Sequence, residues 1–206
     1  MRVMVADCQV GGVVLAAGLA RRFGREKLLE KVAGRPLGAH ALAAALASPL
    51  DPVVLVTRPQ LAPALIPDQA PSRLRVIVNP KPQAGQSLSL KLGLEALGPE
   101  VSHLLALLAD QPLVGPELLG RFVAAAEQGA ELAAIKLGRV FCPPTLFGRV
   151  FFPELMSLQG DQGGRALLAR HQNRVQVIDP GEDSLVADVN RPEDIDKIKR
   201  RLEACV

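Results

Sequence analysis

The chain has 206 residues, is 49% hydrophobic and carries a formal net charge of +3; this suits one domain with a full core and excludes intrinsic disorder. Aromatic residues make up 3%, with no Trp and no Tyr, so the core falls to Leu, Val and Ala, and a platform that stacks single-stranded bases is excluded. The mildly basic balance fits an anionic small ligand and does not call for nucleic acid.

In chain order, "GVVLAAG" (12–18) predicts a strand and "PLGAHALAAALAS" (36–48) a helix that opens on a proline, a residue suited to the first helical turn. "PVVLV" (52–56) and "LRVIV" (74–78) predict strands, "GQSLSLKLGLEAL" (85–97) a helix and "HLLALLAD" (103–110) a strand. "PELLGRFVAAAEQG" (116–129) predicts a helix with a glycine stop, and "ELAAIKL" (131–137) a strand. Strands that are apolar on both faces and alternate with helices imply a parallel sheet covered on both sides. From 138 to 158 the pattern loses regularity, with three prolines and four of the six phenylalanines. "GGRALLARH" (163–171) then predicts a short helix, "RVQVID" (174–179) a strand and "RPEDIDKIKRRLEA" (191–204) a closing helix. "APSRL" and "PKPQAGQ" read as ordinary connections.

No apolar run reaches membrane-spanning length. The opening "MRVMVADCQV" lacks the apolar segment of a signal peptide. Cys8, Cys142 and Cys205 are odd in number and far apart, which argues against a disulfide framework and against paired metal ligands. The expectation is a cytoplasmic protein that uses neither membrane nor nucleic acid, with residues 1–206 as a single domain.

The first strand ends at Gly18, and Arg21, Arg22, Arg25 and Lys27 follow within a few residues. In an open parallel sheet, ligands sit at the carboxyl ends of strands. A glycine turn there exposes backbone N–H groups to phosphate oxygens, and cations neutralise them. A solvated basic loop explains the charges but not Gly18, Gly24 or the strand before them. The spacing matches neither a P-loop nor G-x-G-x-x-G. Asp110 closes an apolar strand, where it is either a ligand for Mg²⁺ or a cap or turn residue before Pro112. Asp188 and Asn190 are two apart and share one side of an extended segment; Asn190 is equally placed to cap the last helix, with Glu193 completing a capping box. Ser87 stands at a helix start, where it is placed to cap. Asn79 both donates and accepts, and so suits reading a nucleobase. "GDQGGR" (160–165) is either an Asp-capped helix or an anion site at a helix start. His40, His103 and His171 are scattered, and no Ser-His-Asp system assembles.

Five segments in order carry a family resemblance: "LAAGLARRFGREKLL", "NPKPQAGQSLSL", "LLALLADQPLV", "LQGDQGGRALL" and "ADVNRPEDI". Together they resemble the nucleotidyltransferase superfamily and, within it, the molybdenum cofactor cytidylyltransferases and their MobA-like relatives. The resemblance implies a nucleotide-diphospho-sugar transferase type of fold, a Rossmann-like open and mostly parallel sheet with helices on both faces. It implies nucleotide contacts from Leu15, Ala16, Ala17, Gly18, Arg22, Lys27, Asn79, Gly85 and Ser87. Arg22, Lys27 and Asp110 would be catalytic. Asp161, Gly163, Gly164 and Arg165 would face the acceptor, and Asp110 would hold Mg²⁺ together with Asp188 or Asn190. The implied reaction transfers CMP, or another NMP, from an NTP to a phosphorylated pterin such as molybdopterin and releases pyrophosphate, with a molybdoenzyme or its maturation machinery as partner. Guanylyl transfer, another phosphorylated acceptor and a cofactor-binding protein without turnover are the alternatives. "FCPPTLF" departs from the branch: Pro143, preceded by Cys142, stands where a Gly-His-Pro-like sequence has its histidine.

Overall fold

β1 (Val10–Ala16) is buried along nearly its whole length, because it forms the middle of a sheet covered on both faces. A short hairpin, β2 (Lys31–Val32) and β3 (Arg35–Pro36), follows and leads into α1 (Leu37–Ala47). Next come β4 (Val53–Thr57), α2 (Ala62–Leu65), β5 (Leu74–Val78), α3 (Gln86–Leu97) and β6 (His103–Leu108). α4 (Pro116–Glu127), β7 (Leu132–Leu137) and β8 (Val140–Gly148) continue the chain. α5 (Phe152–Ser157), α6 (Gly164–Arg170), β9 (Val175–Val177) and α7 (Pro192–Glu203) end it. This is a computed structural model that describes residues 8–19, 23–182 and 186–203.

The seven-stranded sheet has the order β5-β4-β1-β6-β8-β7-β9. β8 runs antiparallel to both of its neighbours, and every other pairing is parallel. The sheet is therefore mostly parallel, as the resemblance implies, with one reversed strand. That strand is the irregular stretch of the sequence. Between β7 and β8 the register jumps from Ala134↔Thr145 to Ile135↔Cys142, which leaves Pro143 and Pro144 outside the ladder. Proline has no N–H to donate, so a bulge is where a strand accommodates it.

Alternate strand residues feed two cores. Val14, Ala16, Leu105 and Leu107 pack with α1, α4 and α7. Val13, Val54, Val56 and Leu104 pack with α3, α5 and α6. α3 lies unusually near the sheet, since a Cβ at Gly93 would stand 2.3 Å from Val13 Cγ1. Among the described residues no helix is long and apolar enough to cross a membrane.

Register places the site. Leu15 is level with Val56 on one side and Leu108 on the other. The segments that leave β1, β4 and β6 therefore emerge side by side at one edge, bringing Gly18, Arg58 and Asp110 to the same border of the sheet.

Candidate active site

After β1 the chain returns to the core at Phe23 and again at Leu28, both buried. These two side chains pin the segment between them, and Lys27 opens a single 3-10 turn, Lys27–Leu29. Arg21 and Arg22 lie outside the described residues. Arg25 is exposed and pairs with Glu30 at 2.8 Å, so its charge is spent locally. Lys27 is 13% exposed; its ammonium donates to Asp110 Oδ2 at 2.5 Å and to the Val189 carbonyl at 2.7 Å. One lysine thus joins three of the segments singled out above.

This junction borders a cavity of about 400 Å³, within the range of small-molecule sites. Leu15, Ala17 and Gly18 line one part of it, and Pro82, Gln83, Gly85, Gln86 and Ser89 another. Lys27, Asp110, Asp161 and Asn190 also line it. A Cβ at Gly18 would meet no protein atom within 4 Å, so the space that glycine leaves is open to a ligand. The stretch "PKPQAGQ" is therefore cavity wall, with a 3-10 turn at Pro82–Ala84, rather than an ordinary connection. Asn79 and Ser87 stand one layer back. The Asn79 amide donates to Ser89 Oγ at 2.9 Å and its carbonyl accepts from the Lys81 N–H at 2.8 Å. Ser87 is buried and does not cap α3, whose N-cap is Gly85.

Gly85 is where two segments meet. Its φ is 94°, and a Cβ there would stand 2.2 Å from the Gly160 backbone. The Ser87 N–H donates to the Gly160 carbonyl at 3.1 Å, and a Cβ at Gly163 would strike Gln86 Oε1 at 2.3 Å. The "GDQGGR" loop is therefore seated directly on the start of α3. α6 is capped by Gly163 without a side-chain bond, so Asp161 is not its cap. Asp161 and Gln86 line both the main cavity and a second one of about 220 Å³ that also touches Pro143, Thr145, Gly163, Gly164 and Arg165. Cys142 stands near Arg165 and Asp188; burial raises its thiol pKa, Arg165 lowers it and Asp188 raises it.

Asp110 caps no helix, because the N-cap of α4 is Gly115. The segment from Val186 is stitched to its main chain: the Val189 N–H donates to the Asp110 carbonyl at 3.0 Å, and Gln111 Nε2 donates to the Val186 carbonyl at 2.9 Å. Partial burial raises the pKa of Asp188, and the Asp110 carboxylate nearby acts in the same direction; Gln111, Lys27 and Arg165 oppose them. Asn190 does not cap α7 with its side chain. Asp194 accepts the Asn190 and Arg191 N–H groups at 3.1 and 2.9 Å, which leaves Glu193 out of the cap and the Asn190 amide to face the cavity. Among the described residues no group of three or more His, Cys, Asp or Glu could hold a metal alone. Asp110 and Asn190 nevertheless offer hard oxygens on the cavity wall, with the Asp188 carboxylate near Asp110. Such a set suits Mg²⁺, which takes one or two carboxylates and completes its shell from phosphate and water.

The sequence reading passed over Gln83, Gln86, Gln111, Glu26 and Arg58. All but Arg58 lie inside the quoted segments, and only Arg58 carried no signal there.

A mostly parallel sheet with a glycine turn, a lysine and an aspartate at its carboxyl edge is the architecture of an enzyme that handles nucleotides. The chain is a nucleotidyltransferase and belongs to the MobA-like NTP transferase family, whose domain matches residues 12–175. Over 201 residues it is 33% identical to the purine catabolism protein PucB of Bacillus subtilis (strain 168), covering 93% of this chain and 96% of that protein. The structure of Rv0371c from Mycobacterium tuberculosis H37Rv in complex with manganese superimposes with a TM-score of 0.68 at 26% identity, covering 96% of this chain and all (100%) of that one. The molybdopterin-guanine dinucleotide biosynthesis protein A of Archaeoglobus fulgidus shares the fold, with a TM-score of 0.69 at 18% identity over 94% of this chain and 99% of that one.

Proposed function

We propose that this chain, as one domain over residues 1–206, transfers a nucleotidyl group from an NTP, CTP first, to a phosphorylated pterin of the molybdopterin type. The observation that carries the reading is the Lys27 junction: an ammonium poised between a carboxylate and the late segment at the mouth of the glycine turn. A pterin acceptor is in keeping with the molybdopterin-guanine dinucleotide biosynthesis protein that shares the fold.

The acceptor phosphate is already a nucleophile near neutral pH. Its oxygen bonds to the α-phosphorus, the α–β phosphoanhydride bond breaks, and pyrophosphate leaves with the electron pair. No strong general base is required, in keeping with a cavity lined by no histidine among the described residues. Lys27 and Arg22 would offset charge on the departing pyrophosphate, an electrostatic role strongest where water is excluded. The backbone of Leu15 to Gly18 would cradle phosphates, and Gly85 with its neighbours would hold the base. Asp161, Gly163, Gly164 and Arg165 would align the acceptor from the second cavity. Mg²⁺ held by Asp110 with Asp188 or Asn190 would supply charge neutralisation at the phosphates. Pyrophosphate release, measured with each NTP in the presence and absence of molybdopterin, tests the reading. Release with CTP that depends on molybdopterin supports it; release only with another acceptor, or none, overturns it.

A further inference from the structure

Arg58 leaves the carboxyl end of β4 and is 8% exposed. An arginine this buried needs a partner. It has one: its Nη2 donates to Glu26 Oε2. Glu26 immediately precedes Lys27. It is also the N-cap of the Lys27–Leu29 turn, yet its side chain makes no cap bond. The carboxylate therefore does not serve the turn it begins; it ties that turn to the neighbouring strand. Arg58 is itself fixed, because its carbonyl accepts the Leu61 and Ala62 N–H groups at 3.0 and 3.3 Å. A rigid strand end thus grips the residue beside the lysine at the centre of the site.

The grip is single. Arg58 Nε and Glu26 Oε1 are both buried and without a hydrogen-bond partner among the described residues. A buried pair that leaves one donor and one acceptor unspent is a poor source of stability. Its position is better explained by what it holds. Phe23 and Leu28 fix the depth of the segment, Asp110 and the Val189 carbonyl hold the far end of the Lys27 side chain, and the Glu26 tie to Arg58 holds the adjoining backbone against β4.

We infer that Arg58, acting through Glu26, is a positioning residue for Lys27, and that the pair sets the direction of the ammonium toward the nucleotide phosphates. This rests on the reading of Lys27 as the phosphate-binding lysine.

The test is CTP affinity by calorimetry with Mg²⁺ present, alongside thermal melts. Arg58→Met leaves Glu26 buried and unpaired, and lowers both Tm and affinity; the affinity falls by about tenfold, the size of one lost charge-assisted contact. The double variant Glu26→Gln with Arg58→Met removes both charges, so Tm recovers while affinity does not. Arg58→Lys, which can replace a one-nitrogen contact, keeps affinity within about threefold. In a Lys27→Met background, Arg58→Met changes affinity by less than about twofold, because residues that act as a unit are not additive. If affinity returns together with Tm in the double variant, or if the Arg58 and Lys27 losses multiply, the pair is only structural and the inference is wrong. If CTP binds and Lys27→Met weakens it while Arg58→Met does not, the inference falls and the functional reading stands. If no NTP binds or releases pyrophosphate, the functional reading falls and takes this inference with it.

Discussion

Lys27 is a loop residue that is nonetheless mostly enclosed, with its charge committed to Asp110 and the Val189 carbonyl. An exposed basic loop would lose little on truncation; this one leaves Asp110 and Asp188 facing each other without their cation. Two effects of opposite sign follow for Lys27→Met. Pyrophosphate release should fall by roughly 10²–10³, the scale of one lost transition-state donor. Manganese binding to the nucleotide-free protein should tighten, because Asp110 no longer has an ammonium on it. Titration with Mn²⁺, followed by electron paramagnetic resonance, reads the second effect independently of turnover; weaker Mn²⁺ binding in the variant would show that Asp110 is not a metal ligand. Asp110→Asn should lose both metal binding and release while melting near the wild-type temperature.

Between elements, the closest seam joins the start of α3 to the "GDQGGR" loop. Gly85→Ala would drive a Cβ to 2.2 Å from the Gly160 backbone at a positive φ of 94°, so the loop must move. Raised KM values for both substrates and a lower Tm are expected from steady-state kinetics and melts. Gly120, in the interior of α4, is the contrast: a Cβ there meets nothing within 4 Å. Gly120→Ala should raise stability by about 0.4–1 kcal/mol and leave kinetics unchanged. The same seam shows what could be read in advance. Continuous apolar runs gave β1, β4 and β6; a starting proline gave α1, a glycine stop gave α4, and α3 was read from its helix-length segment although the Ser87 cap offered for it is not made. β8 was illegible because two prolines interrupt its ladder, and β2 and β3 because two residues carry no period. Motif spacing led to Lys27 and Asp110. It could not show that the Asn79 amide is turned to Ser89, ten residues away. Nor could it pair Glu26 with Arg58, thirty-two residues apart, since each alone looks like a surface charge.

At the scale of the whole molecule, two histidines make stability depend on pH. His40 is held below its ordinary value of 6.5 by burial, against the pull of its bond to the Val32 carbonyl, and burial likewise lowers His103. The unfolded chain takes up these protons first, so stability is full above about pH 6.5 and declines as the pH falls through and below it. Melts across that interval should show Tm dropping toward acid, with a shallower drop in His40→Gln and His103→Gln; an unchanged slope in both would remove these groups as the cause. The same molecule has its site drawn from distant parts of the chain. Lys27 and Val189 are 162 residues apart, and the segment that bears Val189 lies past residue 175, where the family match stops. Contacts of such separation form late, after the loop between them has closed. On a ribosome, β1, β4 and β6 can pair and α3 can dock while residues 186–190 are still to be made. Such a nascent chain has its glycine turn and its lysine but lacks Asp188, Asn190 and the carbonyl that steadies Lys27. The contacts that steady the Lys27 ammonium are therefore complete only once residues 186–190 have followed it, Val189 by 162 positions.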